Sequence, residues 1–488
     1  MKALFLFIDA VCPEFVIGQS HLFPNIHKLV QTGATAYFDG YTNQMFHGSY
    51  TSEENWASIY TGLTPEQHGL RSKANGEIRI EIPKMSEFTD KMPFWQLLNK
   101  NGITVGLWAC DMLYPPAEVD GYVVSVERRF KETETNQREF LTKLHLHEKD
   151  KKLGDVITGE LPQRLYPAAI RENGYKWEDF VNNPELAQSY LEQNHFKESL
   201  KRFEEELLFH FGNMKNVYRK YPVDVMVFFT PTIDLIGHFS LYDSEYEVLK
   251  SAYLILDKHI GSLIEEFCPE TVFFISDHGQ QNFKDMVKCS DRQTQKEAFK
   301  NAEQVVWLPN GNIAFPARNG SILLATHSLK GTFIASGKGI KKTELSDMRT
   351  VDIYPTILEM FGIKTPDDRR GFVQDIFEKK YVNENILLKN EKIKYFNLAV
   401  IQTHSAYITD IFLNELYMQN RFSKITVIGN RKYREIFISN PRVSVFLSLE
   451  DIDLTVELNH FDIVYIGLYN ESNGEFYPIK IKGEKNNV

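Results

Sequence analysis

Three apolar runs in this chain each lead to an aspartate: Ala3–Ile8 to Asp9, residues 223–229 towards Asp234, and Thr271–Ser276 to Asp277. Two of them bring a histidine, as Asp234-Leu-Ile-Gly-His238 and Asp277-His278. Unbroken apolar runs suit strands buried on both faces, and in open α/β sheets the ligand site lies beyond the carboxyl ends of such strands. The carboxylates and imidazoles are therefore expected to converge. Oxygen and nitrogen ligands of this kind bind hard and borderline divalent cations, so the pattern predicts a metal centre.

A second candidate is the hydroxyl pair Thr51-Ser52, followed by Glu53, Glu54 and Asn55 at the predicted start of a helix. Free backbone N–H groups and the helix dipole favour an anion such as phosphate there, which suits a nucleophile. By itself the segment reads better as a helix cap, with a side-chain oxygen accepting from the first turn, than as a nucleophile.

The motifs gain meaning from their order. A strand ending at Asp9, then Ser52-x-x-Asn55 with Thr61-Gly62-x-x-Pro65-x-x-His68-Gly69, then Asp234-x-x-Gly237-His238, then Asp277-His278-Gly279, then an isolated His327 resemble the alkaline phosphatase superfamily. The likeness is closest to its nucleotide pyrophosphatase/phosphodiesterase branch and covers about residues 1–375. It implies that Asp9, Asp277, His278 and the nucleophile hold one metal ion, and that Asp234, His238 and His327 hold the other. The usual ion would be zinc, with manganese as the alternative. Asn55 matches an asparagine that holds a non-bridging phosphoryl oxygen, and this register selects Ser52 over Thr51 as the nucleophile. Relatives often carry threonine at that place. Glu53 and Glu54 depart from the apolar residue and proline common in relatives, and two added negative charges disfavour a highly charged phosphate monoester. The sulfatase signature is absent, because Glu54 and Trp56 stand where it has proline and arginine.

What the resemblance implies is a two-metal hydrolase of phosphodiester or pyrophosphate bonds acting through a covalent phospho-serine, on a small nucleotide-type substrate. Two divalent ions roughly 4 Å apart can clamp the attacking and leaving oxygens of an in-line displacement. A transferase to a sugar or alcohol acceptor and a phosphate mutase share the same first half-reaction. A non-catalytic binding protein on the same fold is the alternative of a different class.

The elements that must position these residues read as an α/β fold: an alkaline-phosphatase-like, doubly wound, mostly parallel sheet over residues 1–380. Strand-like and helical patterns alternate to about residue 125, and charged helix-forming stretches over 128–220 read as a helical insertion beside the site. Strand patterns resume at 223–229, 271–276 and 321–326. A polar stretch at 379–385 reads as a linker to a small Rossmann-like α/β domain over 390–488, which lacks a G-x-G-x-x-G loop. His68 and Gly69 are assigned to turn structure, His145 and His147 to the surface, and the glycines around Lys330 and Lys338 to scaffold. His404 is a weaker ligand candidate.

Bulk properties narrow the class. At 488 residues the chain exceeds what one core fills. A net charge of -10 argues against bulk nucleic-acid binding. Cys12, Cys110, Cys268 and Cys289 show no C-x-x-C spacing, which predicts a reducing cytoplasm. The first apolar run is broken by Asp9, so it reads as a strand and not as a signal peptide. No window approaches the about 20 apolar residues that span a bilayer.

Overall fold

The computed structural model describes residues 1–378 apart from 44–48, 51, 71–72, 76–78, 82–83, 85–86, 88, 111, 133–137, 163–173, 194–195, 241–245, 284–305, 317–321 and 329, and beyond 395 it describes five strands. Thr51, Cys289, His404 and the 379–385 stretch lie outside the described residues. Contacts divide the chain into two units: Met1–Gly40, Ser52–Phe283 and Glu303–Asn383 form one, and Tyr41–Thr51, Lys284–Ala302 and Glu384–Val488 form the other.

The first unit is built on a nine-stranded sheet. Its strands are β1 (Ala3–Ile8), β2 (Ala34–Asp39), β3 (Val105–Trp108), β4 (Gly121–Glu132), β5 (Arg138–Leu146), β6 (Val225–Thr230), β7 (Thr271–Ser276), β10 (Lys330–Gly337) and β11 (Thr343–Leu345). Two short strands outside this sheet are β8 (Gly279–Asn282) and β9 (Ala325–Ser328). The spatial order is β11-β2-β10-β7-β1-β6-β3-β4-β5. Strands β7, β1, β6, β3 and β4 run parallel, whereas β10 and β5 run against their neighbours.

Strand β1 sits at the centre and is buried at every position. Phe5 and Phe7 enter the core on one face, and Leu4, Leu6 and Ile8 enter the core on the other. This two-sided burial is why the run is continuously apolar. Its register is Phe5 opposite Val227 on one side and Phe273 on the other. Adjacent strands lie about 4.8 Å apart, so the residues that follow β7, β1 and β6 emerge side by side.

On the Phe5/Phe7 face lie α2 (Ser52–Thr61), α3 (Phe94–Lys100) and α7 (Ile353–Met360); on the opposite face lie α1 (Pro24–Thr32), α4 (Phe196–Lys220) and α6 (Glu247–Phe267). One more helix, α5 (Thr232–Ser240), follows β6 directly. Helix α2 is fixed to the sheet by Trp56, whose ring lies 5.2 Å from both Phe7 and Phe229. Its far end is closed by Gly62 at φ +68°, and a Cβ there would lie 2.7 Å from the Tyr354 ring. Arg369, buried, donates from Nε to the Thr61 carbonyl at 2.6 Å and satisfies an end group of the helix. Gly62→Ala should therefore destabilise the protein by about 1–3 kcal/mol, read as a lower urea midpoint at unchanged m-value.

Two expectations need correction. Part of the stretch expected to be helical is strand: residues 128–132 of β4 and 138–146 of β5 belong to a long antiparallel pair, from Val124 opposite Leu146 to Glu132 opposite Arg138. The alternating Tyr122, Val124 and Val126 seat the base of this pair in the core, while its charged remainder extends the ladder and mimics a helix-forming composition. Helices do follow at Trp177–Asn182, Pro184–Gln193 and α4. Helix α4 is also more than an appendage, because Phe203, Leu207, Phe211, Met214 and Val217 recur at helical spacing and enter the Leu4/Leu6/Ile8 core.

In the second unit four parallel strands, ordered Val445–Ser448, Phe422–Gly429, Phe396–Ile401 and Ile463–Asn470, match the expected small parallel sheet. A fifth strand, Glu475–Lys482, pairs antiparallel at the edge, where Pro478 is tolerated. No helix among the described residues is long and apolar enough to cross a membrane.

Candidate active site

Asp277, Asp9 and Asp234 lie at or just beyond the carboxyl ends of the three adjacent strands β7, β1 and β6. Asp9 N–H donates to the Thr230 carbonyl at 3.0 Å, which holds the first residue after β1 against the end of β6. Ser52 opens α2, and its Oγ lies 3.2 Å from Asp9 Oδ1 and 2.9 Å from His278 Nε2. His278 Nε2 is in turn 3.4 Å from Asp9 Oδ1 and 3.5 Å from Asp277 Oδ2. Ser52, Asp9, Asp277 and His278 thus form one group.

Asp234, His238 and His327 form another. Asp234 and His238 are four residues apart in α5, which puts them on one helical face. Asp234 Oδ1 lies 3.2 Å from His238 Nε2 and 3.2 Å from His327 Nε2, and the two imidazole nitrogens are 2.9 Å apart. His327 reaches this place because β8 and β9 pair, setting Gln280 opposite His327 and stacking the His327 ring on His278 at 3.9 Å. Ligand atoms of Asp9, Asp277 and His278 lie within 4.8 Å of one another, and so do those of Asp234, His278 and His327. His278 is therefore in reach of both groups, where the family pattern would give it to one.

Hydrogen bonds from the far side of each ring set the tautomers. His238 Nδ1 lies 2.8 Å from the Ala325 carbonyl and His278 Nδ1 lies 2.9 Å from the Gly279 carbonyl, so in the neutral ring each Nδ1 carries the proton and each Nε2 faces the site.

Electrostatics point the same way. Burial and the neighbouring Asp9 charge push the Asp277 carboxyl well above the usual range. Neither Asp277 oxygen has a hydrogen-bond partner among the described residues, although the side chain is fully buried. An unsatisfied buried carboxylate is costly, and a bound cation would relieve it. Burial, followed by the His327 charge, holds His278 well below its ordinary value and keeps Nε2 unprotonated. Burial alone would raise Asp234, but His238 and His327 outweigh it and hold that carboxyl well below its usual range. Burial opposes and Asp234 favours the His238 proton, which is retained up to about 9. The donor set, three carboxylates and three imidazoles around one hydroxyl, fits divalent ions.

Asn55 is fully buried one turn after Ser52. Gly40 makes room for it: a Cβ there would lie 3.1 Å from both Asn55 Oδ1 and the Asp277 carbonyl. His68 accepts from the Leu70 N–H at Nδ1 and meets Ser58 Oγ at Nε2, as its assignment to turn structure required. His145 is half-buried at the surface, where it was expected, and has a partner there: Nε2 lies 2.5 Å from the buried Glu127 Oε2, and its ring lies 4.7 Å from Tyr114.

The type I phosphodiesterase / nucleotide pyrophosphatase family model matches residues 3–333, a span holding every residue named at the site. The chain belongs to that family. The resemblance read from the ordered motifs is thereby met, and the family's chemistry is hydrolysis of phosphodiester and pyrophosphate bonds. No curated protein sequence matches the chain. Among solved structures, murine ectonucleotide pyrophosphatase/phosphodiesterase 5 is similar at 13% identity and a TM-score of 0.43, over 78% of this chain and 100% of that one. An inactive variant of the murine protein in complex with AMP aligns at 12% identity and a TM-score of 0.43, over 76% of this chain and 97% of that one. The human protein aligns at 13% identity and a TM-score of 0.41, over 78% of this chain and 100% of that one.

Sequence reasoning missed Gln280 and Arg369. Gln280 Nε2 donates to the Asp234 carbonyl at 2.6 Å and to Asp234 Oδ1 at 3.1 Å. Its position directly after Asp277-His278-Gly279 was the available signal. Arg369, far along the chain from α2, carried none.

Proposed function

We propose that this type I phosphodiesterase family member hydrolyses phosphodiester or pyrophosphate bonds in small nucleotide-type substrates, with Ser52 as the nucleophile. The observation that carries the reading is Ser52 Oγ at the start of α2, 3.2 Å from Asp9 and 2.9 Å from His278, beside the buried Asp277, whose oxygens accept no hydrogen bond among the described residues. Two divalent ions, zinc being the family's usual choice, would be held by Asp9, Asp277, His278 and Ser52 and by Asp234, His238 and His327, and would acidify the Ser52 hydroxyl and offset charge on the leaving oxygen.

Ser52 gives its proton to solvent water, and its Oγ bonds to phosphorus as the bond from phosphorus to the leaving oxygen breaks and that oxygen departs with its electron pair. The adduct on Ser52 keeps the second ester group of the substrate. The positive end of the α2 dipole and the Asn55 amide would hold the non-bridging oxygens. Water then attacks phosphorus from the vacated side and restores Ser52. The nearby Glu53 and Glu54 favour a diester over the more highly charged monoester. A reducing cytoplasm belongs to the same reading, in keeping with Cys12, Cys110 and Cys268, which form no disulfide among the described residues.

The test is a panel of aryl phosphate diesters, monoesters, sulfate esters and nucleotide-sugar diphosphates assayed with zinc and with manganese, with and without alcohol and sugar acceptors. The expected result is a kcat/KM for diesters or diphosphates at least about 10-fold above that for monoesters, with water as the acceptor. A preference for monoesters or sulfates would overturn the reading, and product found only on an added acceptor would make the protein a transferase.

A further inference from the structure

The Asp234 oxygen that faces both histidines is also the one that Gln280 touches, and the surroundings of Gln280 are shaped for that contact. Its side chain is buried, and its amide nitrogen donates to both the backbone carbonyl and Oδ1 of Asp234. Two acceptors on one atom fix the amide orientation, since only the NH2 end can serve both. The Gln280 backbone is clamped by a buried thiol: its N–H donates to Cys12 Sγ at 3.3 Å, and Cys12 Sγ lies 3.5 Å from its carbonyl. On its other flank the amide occupies the notch left by Gly237, where a Cβ would fall 1.4 Å from Gln280 Oε1. Gly237 has no positive φ to explain it. The glycine between Asp234 and His238 is thus required by the glutamine across from it.

We infer that Gln280 is a positioning residue that holds Asp234 Oδ1 towards His238 Nε2 and His327 Nε2 and so sets cation affinity at that group of ligands alone. This rests on the two-ion reading above. Without the amide, the Asp234 carboxylate is free to rotate about its terminal torsion, which is broad. The Asp9, Asp277 and His278 group is held by other bonds, such as that from His278 Nδ1 to the Gly279 carbonyl, and keeps its geometry.

Zinc titration of the full chain, followed by calorimetry and by elemental analysis after gel filtration, tests this with Gln280→Met, which keeps length and volume but cannot donate. The expected result is that one of two zinc sites weakens about 10- to 100-fold while the other is unchanged. Gly237→Ala, which drives the amide from its notch, should weaken the same site, and the double variant should be no worse than the poorer single one. Thermal unfolding of the metal-free proteins checks that Gln280→Met still folds. Two zinc ions bound by Gln280→Met at wild-type affinity would overturn the inference, as would equal weakening of both sites. A wild-type protein that binds only one ion would instead overturn the two-ion reading.

Discussion

Replacing Ser52 by Ala should lower kcat/KM for a diester by about 10⁴-fold or more, while zinc content stays close to that of the wild type. Each tenfold loss corresponds to about 1.4 kcal/mol of transition-state stabilisation, so the hydroxyl is being asked to supply over about 5 kcal/mol. The size follows from its place: no other described hydroxyl lies against both Asp9 and His278, and covalent attack has no substitute once Oγ is gone. Metal content should survive because Asp9, Asp277 and His278 remain around the same point. Steady-state kinetics with elemental analysis on the same sample decides the matter. Residual turnover near the wild-type level would move the nucleophile to Thr51.

Asp277→Asn should have the next largest effect, and its sign depends on the metal. In the metal-free protein Asp277 is buried beside Asp9 with neither oxygen hydrogen-bonded, so a neutral amide of the same shape should stabilise the fold by about 1–3 kcal/mol. With zinc present the order reverses, because the wild type gains binding energy, about 4 kcal/mol at a thousandfold excess over Kd, that the variant forgoes. Activity should fall with it, by about 10³-fold or more.

The pH dependence has a definite sign. A carboxyl raised above its unfolded value takes up a proton on folding, so its contribution favours the folded metal-free protein at low pH. That contribution is lost as pH rises from the unfolded value, about 4, through the raised folded one. Thermal unfolding of wild type and variant, each with zinc and with chelator from pH 4 to 8, reads all of these. A variant less stable than wild type under chelator at neutral pH would contradict the account.

The three aspartates were legible because burial on both faces of β1, β6 and β7 writes itself into sequence as unbroken apolar runs. Their convergence then follows from strand adjacency alone. His327 was not legible from spacing, since only the pairing of β8 with β9 carries it to His278, and it entered through the ordered motif pattern. The charged part of the β4–β5 pair reads as helix because a charged two-stranded extension shares its composition with a solvated helix, whereas the period-2 pattern at its base reads as strand. The partner of His145 was not legible because Glu127 stands across the hairpin and not beside it in sequence. Gln280 and Gly237 illustrate a subtler loss: each is unremarkable alone, and only the 1.4 Å approach shows that one residue dictates the other.

The central claim is that phosphorus becomes bonded to Ser52 Oγ, and the most direct measurement is to trap that bond. Zinc-loaded protein is quenched in acid during turnover of a slow aryl phosphate diester and digested, and the peptide carrying residues 51 and 52 is sequenced by tandem mass spectrometry. The account predicts a phosphoryl adduct that retains the second ester group, located on Ser52 and absent from Ser52→Ala. Turnover that leaves this peptide unmodified at every quench time, or an adduct located on another residue, would contradict it.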